Sequence, residues 1–411
     1  MNDTRFGTWH HFTAAPHRVM FVSGMLQLPL TLVYWAIELT GRHTGLWSPL
    51  ATQVPGFALH PFLMLYGVFP FFMFGFLMTT YPRWMGGEPI PRHLYLPPWA
   101  LLSTGILFFY AGLFSDGTLV TIGLLLLLAG WGLALLTLWR VYRTAPAADK
   151  HYESWLNAAL LAGWAGIAAW LTWWLGGPTW LYRLSLVAGF WLFLIPVLVT
   201  VGHRMIPYFS DCVLRPYRRV QPAWSLPLMG LAVAAHVLLT LTGQWVWRFV
   251  ADLPLAFLAL HHLWHWGLPR SLGIRLLAML HIAWAWFAIG MVLFVIQSLG
   301  LLLTGHWWLG HGPQHVLAIG FITSLTIGMA TRVTLGHSGR PFDVDRLTWA
   351  CFLGISATAL LRLSAELPLW PPGVANHVNL AAAVLWLACL VPWTLRYMPM
   401  LLTPRVDGRA G

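Results

Sequence analysis

Apolar runs long enough to cross a bilayer recur along nearly all of this 411-residue chain, and no other feature limits its fold as much. A helix needs about 20 predominantly apolar residues to traverse the hydrocarbon layer. Inside lipid the backbone must satisfy its own polar groups, which favours helices. The runs predict an all-α fold, a polytopic membrane protein built as a bundle of about twelve transmembrane helices. The expected spans are 20–38, 59–80, 94–114, 118–140, 155–176, 180–202, 224–243, 249–267, 274–303, 313–334, 347–366 and 376–395. The eighth is the least regular, because Arg248, Asp252 and His261-His262-Leu263-Trp264-His265 intrude at its ends. Composition agrees. Charged residues make up 9% of the chain, against about 25% in a soluble domain, and 58% of it is apolar. An ordinary soluble enzyme and a disordered chain are both excluded.

No composition shift or flexible linker divides the chain. The organisation expected is a cytoplasmic N-terminal segment (1–19), a twelve-span domain (20–403) and a cytoplasmic tail (404–411). The first apolar run is of span length with no small-residue cleavage site after it, so it reads as an uncleaved span. Three cysteines, Cys212, Cys351 and Cys389, have no CxxC spacing and suggest neither a disulfide framework nor a thiolate metal site.

The net charge of +11 does not point to nucleic acid, because the cations do not form one stripe. They alternate with the spans instead. The termini and even-numbered loops hold Arg5, Arg18, Arg83, Arg92, Arg140, Arg143, Lys150, Arg204, Arg215, Arg218, Arg219, Arg270, Arg275, Arg332, Arg340, Arg346, Arg396, Arg405 and Arg409. The odd loops hold only Arg42, Arg183, Arg248 and Arg362. A missed or invented span would scramble this pattern. The positive-inside rule then puts both termini in the cytoplasm, as expected for a multi-pass membrane protein. Small-residue seams between helices are expected at Gly163/Gly166 and Gly320/Ser324/Gly328.

All twelve acids, from Asp3 to Asp407, fall in loops, tails or span ends. Ion-coupled carriers commonly keep a carboxylate at mid-membrane, so its absence counts against such a carrier. Histidine is the unusual residue, with 18 copies. Neutral imidazole enters a membrane without charge and ligates both haem iron and other metals. His60 opens the second span and His315 the tenth, at the outer surface. His17 precedes the first span and His337 follows the tenth, at the inner surface. His281 lies seven residues into the ninth span, roughly 10 Å deep at 1.5 Å per residue. Two groups at two depths are what two metal centres need. Any one of these histidines taken alone is more often an interfacial polar residue than a ligand. His261, His262 and His265 read as residues of the cytoplasmic interface, and His306 and His311 as neighbours of the outer group. Met64 and Met329 could offer sulfur to copper, but core packing is the commoner use of methionine.

Two arginine-containing turns stand at the cytoplasmic ends of spans. Gly202-His203-Arg204-Met205-Ile206-Pro207-Tyr208-Phe209 is read as a Gly, Arg and Pro break ending the sixth, and Thr331-Arg332 through Gly339-Arg340-Pro341 ends the tenth. Arg204, Arg332 and Arg340 there satisfy topology. They would also suit haem propionates, because a guanidinium meets a carboxylate bidentately. The second and tenth spans also share a pattern, each running inward from a histidine to a Thr and an Arg.

These segments resemble the NnrS family of haem- and copper-containing membrane proteins linked to nitric oxide metabolism. The residues that carry the resemblance begin with Ala15-Pro16-His17-Arg18, then His60 with Met64-Leu65-Tyr66-Gly67 and Gly75-Phe76-Leu77, then the Gly202 to Phe209 turn. Leu280-His281 with Trp286, His315 with Gly320, and Thr331 to Pro341 follow in the family's order, and the last segment is the most specific. Where the family usually has His-x-His-Glu-Met, this chain reads His60-Pro61-Phe62-Leu63-Met64, and His203 replaces a Gly of the family's Gly-Gly-Arg turn. The resemblance implies haem b, and copper as a second metal, serving nitric oxide metabolism or protection from nitrosative stress. By ligand count, the His60/His315 pair suits axial haem ligation and His17, His281 and His337 suit copper. The reverse allocation uses the same residues. Partners implied are the lipid bilayer, nitric oxide or a related small molecule, and quinol or another electron donor. Two rival functions are a quinol-linked nitric oxide-reducing oxidoreductase and a cofactor-free solute transporter, since fold alone does not assign function.

Overall fold

The computed structural model describes residues 7–371 and 373–408, so that Asp3, Arg5 and Arg409 of the charge pattern lie outside the described residues. Among the described residues there are helices and no strands, as the apolar runs require. Ten helices are long and apolar enough to cross a membrane. They are α1 (Pro16–Thr44), α2 (Gly56–Trp84), α3 (Arg92–Leu113), α4 (Gly117–Thr144), α5 (His151–Trp174), α6 (Thr179–Val213), α9 (Arg275–Thr304), α10 (Gly312–His337), α11 (Arg346–Ser364) and α12 (Val374–Leu402). Two helices of 17 residues, α7 (Ser225–Leu241) and α8 (Phe249–His265), stand at the seventh and eighth expected spans.

The short pair contains buried charge. His236 of α7 and Asp252 of α8 are both fully buried, with Nδ1 and Oδ1 2.6 Å apart. Arg248, which precedes α8, packs over Phe294 and Trp307. The eighth run looked irregular because its first turn serves this cluster.

Helix ends follow local chemistry. Asp116 and Asp345 cap α4 and α11 by accepting from the backbone N–H of Thr118 (2.9 Å) and Thr348 (2.8 Å). After α10, Gly339 takes φ +73° and the Arg340 N–H returns to the Leu335 carbonyl at 3.0 Å, a left-handed stop that favours glycine. The break expected at Gly202–Phe209 does not occur, and α6 continues to Val213. Pro207 has no N–H for the carbonyl of His203, but the Gln221 side chain donates to that carbonyl at 2.6 Å. The helix therefore passes through the proline without an unmet acceptor.

The helices form three consecutive sets of four, and the second of each set is innermost. In α2 and α10, 89% of the span is buried and in α6 72%, against 33–56% in the other seven long helices. Neighbouring sets pack through α4 on α5 and α8 on α9, and α12 packs on α1 to close the ring. The tightest seam is one the sequence reading did not single out. Gly105 and Gly123 bring α3 and α4 so close that a Cβ on Gly123 would stand 2.7 Å from the Gly105 carbonyl oxygen. The expected seam glycines receive side chains instead: Gly163 faces Trp131, Gly166 faces Tyr66, Gly320 faces Trp286 and Gly328 faces Leu280.

Each inner helix widens into a π-helical stretch: Leu63–Val68 in α2, Ala188–Leu194 in α6 and Val316–Thr323 in α10. The first two end just before Pro70 and Pro196, which cannot complete the i→i−4 ladder. In the third, the Thr323 hydroxyl donates to the Ala318 carbonyl five residues back, at 2.9 Å. Such stretches are often found at functional sites.

Candidate functional site

All three π-helical stretches face one cavity. It has a volume of about 510 Å³ and lies at the end of the bundle where α2 and α10 begin. Pockets for small molecules and cofactors fall in the range of about 300–1,000 Å³. The walls are largely apolar, with Met64 and Leu65 from α2, Phe190 and Leu194 from α6, and Ile319 and Ile322 from α10.

His60 and His315 both line this cavity, from two different inner helices. His60 stacks on Trp35 of α1, with ring centroids 4.2 Å apart and planes within 10°. Its Nδ1 is buried with no partner. The Nδ1 of His315 donates to the His311 carbonyl at 2.9 Å, so its Nε2 keeps the lone pair. This is the arrangement that orients an imidazole for a metal. A cofactor held between two imidazoles fits this donor set. His311 itself lines the cavity, whereas His306 does not.

The inner histidines divide. His17 and His337 stand together at the opposite end of the bundle, with ring centroids 4.4 Å apart. Thr79 donates its one hydroxyl proton to the Gly75 carbonyl (2.8 Å), so the His17 Nδ1 at 3.3 Å must be the donor to Thr79. The His17 Nε2 is then a buried lone pair without a partner. Arg405 lies beside the pair, and hydrogen bonds from its guanidinium to Asp407 raise its pKa above the ordinary value. His281 does not join them. Its Nε2 pairs with the Ser210 hydroxyl of α6 at 2.9 Å. Among the described residues no group of three or more His, Cys, Asp or Glu could hold a metal ion. The three-imidazole copper set therefore does not fit this arrangement, because its third member faces another helix.

The arginines expected near propionates are also elsewhere. Arg204 pairs with the buried Glu153 at 3.1 Å and lies over Trp84. Arg332 lies 3.6 Å over the ring of Phe209. It is seventeen residues along α10 from His315, roughly 25 Å at 1.5 Å per residue. Neither these two nor Arg340 lines the cavity that holds His60 and His315; the arginine there is Arg362. One signal could have found it: it is one of only four cations on its side of the charge alternation.

Two further histidines are held inside the bundle. His203 is a clamp, with Nδ1 3.0 Å from the Tyr152 hydroxyl and Nε2 2.9 Å from the Ser225 hydroxyl. His262, expected at the interface, is fully buried and stacks on Trp266. The His236–Asp252 pair was missed altogether, since the two residues lie sixteen apart on different helices and neither alone signals the other.

With this geometry in view, the comparisons are specific. The family model described as NnrS protein matches residues 11–405, nearly the whole chain. No curated protein matches it.

Proposed function

We propose, from the premise that this chain belongs to the NnrS family, that it is an inner-membrane haem b protein of nitric oxide metabolism or nitrosative-stress protection. The observation that carries this reading is the pair His60 and His315, brought from two helices to one largely apolar cavity. In this reading the cavity opens toward the outside, following the positive-inside rule.

His60 and His315 would hold the haem, which would supply a reducible iron centre for nitric oxide chemistry. The residues around it have separate tasks. The His311 carbonyl fixes the tautomer and angle of His315. Trp35 fixes the plane of His60 by stacking. Leu65, Phe190 and Ile319 keep water from the buried faces while admitting a small uncharged molecule. No step is assigned to copper, because His281 is not beside His17 and His337.

The test is an absorption spectrum with metal analysis of the purified protein, followed by His60→Ala and His315→Ala. Each variant is expected to lose haem or change its Soret band, and nitric oxide is expected to shift the band of the wild type. An unchanged spectrum in both variants overturns the assignment. A colourless, metal-free preparation that moves a solute would make the protein a transporter. An anaerobic assay with a quinol donor separates turnover from binding.

A further inference from the structure

Arg362 lies near the last turn of α11 and lines the cavity that His60 and His315 share. Its Nη2 is 2.6 Å from the Glu366 carboxylate, one turn on. Its Nη1 is buried and has no partner. Only 15% of the side chain is exposed. A guanidinium has five donors and no acceptor, so one carboxylate on one edge leaves the other edge unmet. Leaving a charged donor unmet out of water is costly, and the usual remedy is an anionic oxygen.

Of the other three cations on this side, Arg42, Arg183 and Arg248, none lines the cavity. Arg42 pairs with Glu38 at 2.7 Å, and Arg248 is packed against Phe294 and Trp307. The cavity is also polarised along its length. His311, Gln314, Arg362 and Asn379 come from helix ends, and the Asn379 side-chain oxygen is also buried without a partner. Deeper in, the walls are Phe69, Leu194, Ile322 and Ala383, beside the indole N–H of Trp386 and Thr358, whose hydroxyl donates to the Gly354 carbonyl. A ligand lying here is oriented with its acidic end toward Arg362 and its apolar body along the π-helical stretches.

We propose that Arg362 is the carboxylate-binding residue of this cavity, taking a propionate of the macrocycle that His60 and His315 hold, while Glu366 fixes the direction of its guanidinium. This rests on the haem reading above and moves the propionate contact from Arg204, Arg332 and Arg340 to the end of the bundle where His60 and His315 stand. The planar fork meets a carboxylate through two parallel bonds, which lysine cannot reproduce.

The experiment compares haem with haem dimethyl ester, whose carboxylates are blocked, on the full-length apoprotein. Affinity is read by Soret titration and release by transfer to a haem scavenger. The wild type is expected to hold the free acid about tenfold to a hundredfold more tightly than the ester, the range of one charge-assisted contact. Arg362→Ala is expected to bring that ratio close to one by weakening the acid alone. Arg362→Lys is expected to keep part of the ratio, and Glu366→Gln to lower it. Equal affinity of the wild type for both forms overturns the proposal, as does a wild-type ratio in Arg362→Ala. If that variant does not fold, the wild-type comparison and Arg362→Lys still decide. A wild type that binds neither form overturns the haem reading itself, which is a different failure.

Discussion

At the scale of single residues, burial decides how much an ion pair matters. His236 and Asp252 form a fully buried pair between the two short helices, with Trp191 3.7 Å from the imidazole. Removing one member leaves a charge or dipole out of water without compensation, at a cost of about 3–5 kcal/mol. Replacing both with apolar residues removes the burden along with the bond. His236→Leu or Asp252→Leu alone should therefore lower the thermal unfolding temperature in detergent, and the double variant should recover most of the loss. A double variant as unstable as the worse single one would refute this. The exposed pair Asp149 and His151 is the contrast. Hydrogen bonds from His151 hold the Asp149 carboxyl below its ordinary value, so any contribution is present above that ordinary value and is lost as pH falls through the lowered one. Solvent screens the pair, and Asp149→Ala should leave the unfolding temperature unchanged at any pH. In sequence each pair is only an acid and a histidine, sixteen residues apart in one case and two in the other. Depth, which separates them, is a property of the packed bundle.

At the scale of elements, the apolar runs made the spans legible almost to their ends, but not what happens inside them. Pro207 has the local signature of a stop, and the His203 carbonyl it leaves is met by Gln221, eighteen residues beyond His203 and outside the helix. Nothing in the periodicity of 180–202 could reveal that bond. The consequence is a paired prediction. Gln221→Leu leaves a buried carbonyl unmet and should cost about 1–3 kcal/mol. Pro207→Ala restores the missing N–H, so the loss on Gln221→Leu should be smaller in that background. Equal losses in both backgrounds, measured as unfolding midpoints, would show that Gln221 does not support the helix. The π-helical stretches were hidden for a similar reason: a widened turn changes which residues share a face, not how apolar they are. The Gly105/Gly123 seam was hidden among many glycines, since only packing shows which ones meet backbone and which meet a ring.

For the whole molecule, the three sets of four helices explain why the candidate site was only half legible. The similarity of α2 and α10 could be read from sequence, because each opens with a histidine. The matching place of α6 could not, because its mouth carries none. Yet α6 supplies a wall of the cavity through Phe190 and Leu194. Arg362 escaped notice because it belongs to a peripheral helix whose last turn happens to reach inward. The same arrangement fixes which residues share a membrane face, and the alternation of cations then says which face is inside. Cys212, near the end of α6, is exposed, whereas Cys351 and Cys389 are buried between α11 and α12. It lies at the end opposite His60, so the wild-type protein already carries a reporter of orientation. A membrane-impermeant maleimide should leave intact cells unlabelled and should label inside-out vesicles at Cys212, with Cys212→Ser abolishing the signal. Labelling of intact cells would invert the molecule, turning the cavity of His60, His315 and Arg362 toward the cytoplasm. Nitric oxide would then have to be met from within, and the carboxylate end of the ligand would face the reducing side of the membrane.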